Sequence, residues 1–356
     1  MPRSPAATRL RLAAALVLWT AAGAAAAAAE PARVALLPVQ DRSGDSAAVR
    51  AVEEALARGL AGRHELVGRE RLRDALRARR VRSVDDAPPE VLQALGRELG
   101  ADRFVTAIVH LAEREACPRL AVSARSYDAA TGELDWAGFE AGSGLDGRRL
   151  LGLGAIGELE LLAERIAHRL IDGLAAGLEA SELAPAARAA AGGAAVLGAV
   201  AVVPLAGLAE SDATRAAETA TEIVRAVLAR RGVPVLSPNR VAESLRRERV
   251  LAWGALDVPV RDALAAAGAE LLLTGTVEAW EAAGDGFEPE PVVAVALRLL
   301  DAGSGRILWT GALERRGWDR QGLFRLGRIH DHGTLGERMI DELVETMIER
   351  LRSPAP

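Results

Sequence analysis

Asp128-Ala-Ala-Thr-Gly-Glu-Leu-Asp-Trp-Ala-Gly138 returns later in the chain as Asp301-Ala-Gly-Ser-Gly-Arg-Ile-Leu-Trp-Thr-Gly311. The match extends without a gap from Asp128–Leu174 onto Asp301–Met347 at a constant offset of 173 residues. Identities continue at Leu153/Leu326, Gly154/Gly327, Ile156/Ile329, Leu162/Leu335, Glu164/Glu337 and Arg165/Arg338. Such an ordered pattern marks an internal duplication. Each copy reads as a strand, a tight Asp-Ala-x-x-Gly turn, a second strand carrying Trp136 or Trp309, and a long amphipathic helix. With 356 residues the chain can bury two separate cores, and the duplication says that it has two domains.

Upstream of the turn, Arg33–Val39 is a short apolar run bounded by the loop Gln40–Asp45, as suits a strand buried on both faces. Val49, Val52, Leu56 and Leu60 have the three-and-four spacing of a helix laid on a sheet. A short strand at His64–Val67 and a helix at Arg69–Arg79 follow. A third helix, Glu90–Leu99, is opened by Pro88-Pro89 and closed by Gly100. Arg103–Leu111, Arg119–Tyr127 and Glu133–Phe139 read as strands, and Ile156–Leu178 as the closing helix. The second copy repeats this order, with a connection after Trp280 that is five residues longer and carries Gly284, Gly286, Pro289 and Pro291. Alternating strands and helices followed by a meander predict an α/β fold (α+β mixed sheet). We therefore expect two tandem copies of a mixed β-sheet domain packed by helices, in the order β-α-β-α-α-β-β-β-α.

The expected domain map starts with a signal peptide over residues 1–29. Arg3, Arg9 and Arg11 precede the apolar run Leu12–Ala28, and small residues lead to a cleavage site after Ala29. The first domain takes 30–180, an Ala/Gly-rich linker 181–198 and the second domain 199–352. Ala189–Ala209 carries no charge, but its Gly, Ala and Pro make it weakly hydrophobic, so it reads as linker and strand rather than a membrane span.

Half the residues are hydrophobic and 26% are charged, the balance of a globular chain. All 44 basic residues are Arg, which together with abundant Ala and Gly reflects codon bias and carries no message about phosphate recognition. The formal net charge is −5, and loss of Arg3, Arg9 and Arg11 makes the exported chain more acidic, which argues against a nucleic-acid binder. Cys117 is the lone cysteine, so no intrachain disulfide can form, and no lipid-attachment Cys lies near the start.

No Gly-x-Ser-x-Gly elbow, phosphate-binding loop or His-Glu-x-x-His helix occurs, and no catalytic residue and no cofactor are assigned. His330-Asp331-His332 contains metal-ligand residue types, but copy one has Gly157-Glu158-Leu159 there. A solvated helix start is the favoured reading, with no metal site. Trp136 and Trp309 share one strand position and read as packing residues. Trp253, Trp280 and Trp318 have no counterpart in copy one, so they are the candidate partner-binding aromatics, Trp280 first because it adjoins the lengthened loop. The Arg-rich run Arg69–Arg82 reads as a solvated helix face with carboxylate partners, with contact to anionic lipid or glycan as the alternative.

Arg-Val-Ala-Leu-Leu-Pro-Val, Val-Gly-Arg-Glu-Arg-Leu, Leu-Gly-Ala-Asp-Arg-Phe-Val-Thr-Ala and Tyr-Asp-Ala-Ala-Thr-Gly-Glu, each with a counterpart in the second copy, resemble a group of bacterial envelope domains. The group includes the TolB amino-terminal domain, the CsgG curli-secretion family and the LpoB activators of penicillin-binding proteins. The resemblance implies a non-enzymatic adaptor in the periplasm or at the outer membrane, with an envelope or secretion-system protein as partner. A peripheral outer-membrane association and a homo-oligomer stay open. The alternative is a periplasmic small-ligand binding protein that uses the cleft between the two domains.

Overall fold

The computed structural model describes residues 31–114, 117–146, 154–190, 197–207, 210–248, 256–283, 290–319 and 328–352. The segment read as a signal peptide, Trp253 and most of the lengthened loop fall outside them. Arg33–Pro356, which holds both copies, forms one compact unit.

The first sheet contains β1 (Arg33–Leu36), β2 (Gln40–Asp41), β3 (Glu65–Leu66), β4 (Arg103–Glu113), β5 (Arg119–Asp128) and β6 (Leu134–Ser143). Its order is β3-β1-β4-β5-β6, with β2 also paired to β4. β1 runs parallel to β3 and β4, while β4, β5 and β6 form an antiparallel meander. The helices are α1 (Ser46–Ala61), α2 (Arg69–Ala78), α3 (Pro89–Leu99) and α4 (Leu159–Ala190). The second sheet contains β7 (Val200–Val202), β8 (Ala206–Gly207), β9 (Leu271–Ala283), β10 (Glu290–Asp301) and β11 (Ile307–Arg316). It is ordered β11-β10-β9-β7, and β8 pairs with β9. α5 (Glu210–Arg230), α6 (Pro238–Arg247), α7 (Val258–Ala266) and α8 (His332–Arg352) accompany it. The molecule is thus the expected α/β fold with two mixed sheets. In place of a second β3, a single parallel bridge joins Val235 to Val200.

The duplicated turn is built identically. Asp128 Oδ1 accepts from the backbone N and Oγ1 of Thr131 at 2.8 and 2.9 Å; Asp301 Oδ1 accepts from the N and Oγ of Ser304 at 2.7 and 2.6 Å. The turn closes at Gly132 and Gly305, whose φ of 72° and 71° is a region that only Gly enters without strain. α4 runs on to Ala190, so the first ten residues read as linker are helical. In the Arg-rich helix α2, Leu72, Ala75 and Leu76 face the core, while Arg69 pairs with Glu53 and Arg79 with Glu98, the carboxylate partners expected of a solvated face.

α1 and α4 cover one face of the first sheet, where Val52, Leu56 and Leu60 meet Val105, Val122, Ile166 and Leu170. α2 and α3 cover the β1 end of the other face around Phe104 and Tyr127. The rest of that face, Ala121, Phe139 and Ala141, belongs to the core of the second copy, together with α5 and α8. The same two helices pack on their own sheet through Ile223, Val224, Ile340 and Val344. α5 therefore lies between two sheets and is buried almost all round from Ala216 to Leu228, whereas its counterpart α1 buries one stripe.

Candidate functional site

Close approach at the junction of the copies is set by small residues. A Cβ on Gly333 of α8 would come within 2.6 Å of the Ala141 Cβ on β6. The equivalent position on α4 is Glu160, so only the second copy has the flat helix surface that the sheet needs. At the rim, Ser237 Oγ accepts from the Leu134 backbone N at 2.7 Å and donates to Glu133 Oε2 at 2.6 Å. Asn239 Nδ2 donates to the Gly132 carbonyl at 3.2 Å, and Arg240 pairs with Glu133. The start of α6 is thereby clamped onto the turn of copy one.

Inside the junction lies a buried network of charges. Arg125 points from β5, its side chain 3% exposed, and its two terminal nitrogens hold the two oxygens of Asp85 at 2.8 and 2.9 Å. Tyr127 donates its hydroxyl to Asp85 Oδ1 at 2.7 Å. Across the junction, Glu222 of α5 lies 3.4 Å from Arg125 Nε and also binds Arg225, one turn along the same helix. His110 joins the copies as well: Nε2 is 2.8 Å from Ser123 Oγ, and Nδ1 is 3.3 Å from Thr219 Oγ1. Thr219 donates its only hydroxyl proton to the Arg215 carbonyl, so the Nδ1–H of His110 must donate to Thr219 while Nε2 accepts from Ser123.

The charge states follow from burial and pairing. Burial opposes ionisation of Arg125, but the carboxylates of Asp85 and Glu222 outweigh it and hold the guanidinium charged. Burial likewise works to raise Glu222, and Arg125 and Arg225 overcome it, leaving its pKa below the usual range. At His110 burial outweighs the opposing pull of the Glu222 carboxylate, and with Arg125 and Arg42 nearby it pushes the pKa down to about 4, so the ring is neutral at ordinary pH. Tyr127 is driven well up, first by burial and then by the charge on Asp85.

A cavity of about 480 Å³ opens beside this network, within the ~300–1,000 Å³ range of small-molecule pockets. Its wall takes Gln40, Arg42, Ser83 and His110 from copy one and Leu205, Glu218 and Thr221 from copy two. Arg42 and Glu218 stand 3.6 Å apart with side chains 50% and 42% exposed, an ion pair beyond hydrogen-bond length.

A second buried ionisable site joins the copies at the start of α8. Asp331 is 1% exposed. Its Oδ1 accepts from the Thr334 backbone N at 2.7 Å and its Oδ2 is buried without a hydrogen-bond partner. Burial, then the charge of Asp146 from copy one, pushes it up to about 6. His332 is not a solvated residue, since its Nε2 is also buried without a hydrogen-bond partner and burial lowers its pKa. Among the described residues no group of three or more His, Cys, Asp and Glu side chains is placed to hold a metal ion.

The six-membered rings of Trp136 and Trp309 occupy the space that a Cβ at Gly138 and Gly311 would need, beside Leu170 and Leu343 of their own helices. Trp280 is half-buried with its ring against Gly336 of α8, where a Cβ would come within 2.4 Å. Trp318 stacks under Arg328, whose guanidinium carbon is 4.1 Å from the ring centroid, and its backbone N donates to Glu290 at 3.2 Å. Neither ring is brought to the junction cavity.

The face that copy one buries at the junction is open in copy two. Ala137, Phe139 and Ala141 are buried, and their counterparts Thr310, Ala312 and Glu314 on β11 are exposed, as are Glu278 and Arg298 on the neighbouring strands. The junction residues themselves left a trace in the sequence. Ser123 and Arg125 are polar positions on a strand that also carries Leu120, Ala121, Val122, Ala124 and Tyr127, and Glu222 and Arg225 sit three apart in an Ala/Ile/Val/Leu-rich helix. Each alone looks like surface; only their meeting across copies makes a site.

The chain matches no known protein family, and no curated protein matches it. It is similar to several solved structures, each over less than half its length. A PelC dodecamer from Paraburkholderia phytofirmans is 25% identical, covers 42% of this chain and 87% of that one, and superposes with a TM-score of 0.29. Lipoprotein GNA1162 from Neisseria meningitidis is 17% identical over 43% of this chain and 99% of that one, with a TM-score of 0.31. The LpoB C-terminal domain from Salmonella enterica is 21% identical over 33% and 86%, with a TM-score of 0.26. No helix among the described residues is long and apolar enough to cross a membrane.

Proposed function

We propose that the chain is an exported, non-enzymatic adaptor of the bacterial cell envelope that binds a protein partner with the open face of its second sheet. The observation that carries this reading is the use the molecule already makes of that face. In copy one, β4–β6 present it to a pair of helices, α5 and α8, and the contact is buried. In copy two the same face, around Arg298, Thr310, Ala312 and Glu314, carries mixed charge and small residues at the surface. A surface of that kind fits a polar, helical face of another envelope protein better than a lipid or an extended apolar ligand. The fixed junction would hold this face at a constant orientation. Trp318, at the end of β11, lies at the margin of the same sheet and is the aromatic residue we assign to the rim of the contact. Copurification from the envelope fraction with Ala312→Arg tests the reading: loss of one discrete partner, with an unchanged circular dichroism spectrum, is the expected outcome.

A second reading, a small-ligand binding protein, is favoured by the cavity at the junction, which both copies line. The two readings are compatible, since the cavity and the open face lie on different surfaces of the molecule's second copy. Titration calorimetry of the exported chain with small periplasmic solutes tests it, and absence of heat with all of them would remove it.

A further inference from the structure

We infer that the junction cavity takes a small zwitterion, a free amino acid or short peptide bearing both an ammonium and a carboxylate; this rests on the ligand-binding reading above. The cavity wall carries three guanidinium groups, Arg42, Arg125 and Arg225, and three carboxylates, Asp85, Glu218 and Glu222. Because the charges balance, a simple anion or cation would enter a site with no net charge to receive it, whereas a zwitterion adds none. The deep members are already committed. Arg125 is held at both terminal nitrogens by Asp85, and Arg225 by Glu222, so they form a fixed polar floor.

Arg42 and Glu218, at the mouth, are not committed in this way. They face each other from different copies at 3.6 Å, and exposed pairs of this kind hold together with only ~0–1 kcal/mol. They can separate to admit a ligand at little cost. The guanidinium of Arg42 then offers a two-pronged seat for a carboxylate, and Glu218 accepts from an ammonium group. Behind them, Ile108, Leu205 and Ala217 supply apolar wall for the ligand's body. A volume of about 480 Å³ holds on the order of fifteen waters, enough for a short peptide. No bond is made or broken in this assignment.

The test uses the exported chain with dialanine, N-acetyl-dialanine, dialanine amide and glucose, and reads the ring proton resonances of buried His110. We expect dialanine to shift them, both blocked forms to bind at least tenfold more weakly, and Arg42→Ala and Glu218→Ala each to weaken dialanine by a similar factor while Arg97→Ala, at an exposed position away from the cavity, leaves it unchanged. Equal binding of a blocked form or of glucose would overturn the zwitterion and leave a ligand site of another class. No shift with any probe at tens of millimolar would overturn both the zwitterion and the ligand-binding reading.

Discussion

Arg125 and Arg298 occupy the same place in the two copies and have opposite surroundings. Each sits mid-strand in the meander, Arg125 opposite Thr106 and Ala137, Arg298 opposite Thr274 and Thr310. Arg125 is 3% exposed and gripped by Asp85 and Glu222; Arg298 is exposed. One residue in one fold position thus serves as a buried cross-link in the first copy and as surface in the second.

The first prediction concerns that cross-link. Asp85→Ala leaves Arg125 buried with only the longer contact to Glu222, and breaking a buried pair from one side costs about 3–5 kcal/mol. Arg298→Ala changes stability by no more than about 0.5 kcal/mol. Urea unfolding midpoints of the two variants check the contrast.

Titration of His110 sets a second expectation. Its pKa is depressed to about 4 in the folded chain against 6.5 unfolded, so the unfolded chain binds the extra proton between those values. Stability from this group is complete above pH 6.5 and declines as pH falls towards 4, by about 3 kcal/mol at roughly 1.4 kcal/mol per unit. In His110→Gln this acid-side decline is lost, as measured by unfolding midpoints at several pH values.

Asp331 acts with the opposite sign. Its folded pKa of about 6 lies above the ordinary 3.8, so ionisation opposes folding and stability falls as pH rises through this window. Asp331→Asn keeps an acceptor for the Thr334 backbone N and cannot ionise. It should be more stable than the parent above pH 6, by up to about 3 kcal/mol, and about equal to it near pH 4. Parallel denaturation at pH 4 and pH 7 checks both ends.

The helix surface at the junction gives a fourth test. Gly333→Leu forces a side chain against Ala141 and should cost about 1–3 kcal/mol or more through overpacking. At the counterpart position in copy one, Glu160→Leu touches no neighbouring sheet, and the change should stay below about 1 kcal/mol. Thermal unfolding of the pair separates the two environments.

Much of this was legible in the sequence because the signals are local. The Asp-Ala-x-x-Gly turns, the proline-opened helix at Pro89 and the Gly100 cap each follow from the backbone conformation that one residue type permits. Helix ends were less legible: α4 continues to Ala190 through residues whose Ala content suits a helix as well as a linker. The junction was not legible, because it depends on contacts more than a hundred residues apart, such as His110 with Thr219. α5 carried the clearest hint, being apolar on more sides than a one-faced helix needs. Trp280 was singled out for lacking a counterpart in copy one, yet the place of its ring is set by Gly336, which no reading of the flanking loop could reveal.

The most direct measurement places a photo-crosslinking residue at Ala312 on the open face, and separately at Glu54 on the outer side of α1, in the protein expressed in its own envelope. Ala312 should give one discrete protein adduct, absent at Glu54 and abolished by adding Arg298→Glu. Adducts of equal yield at both positions, or none at Ala312, would contradict a partner surface on the second sheet.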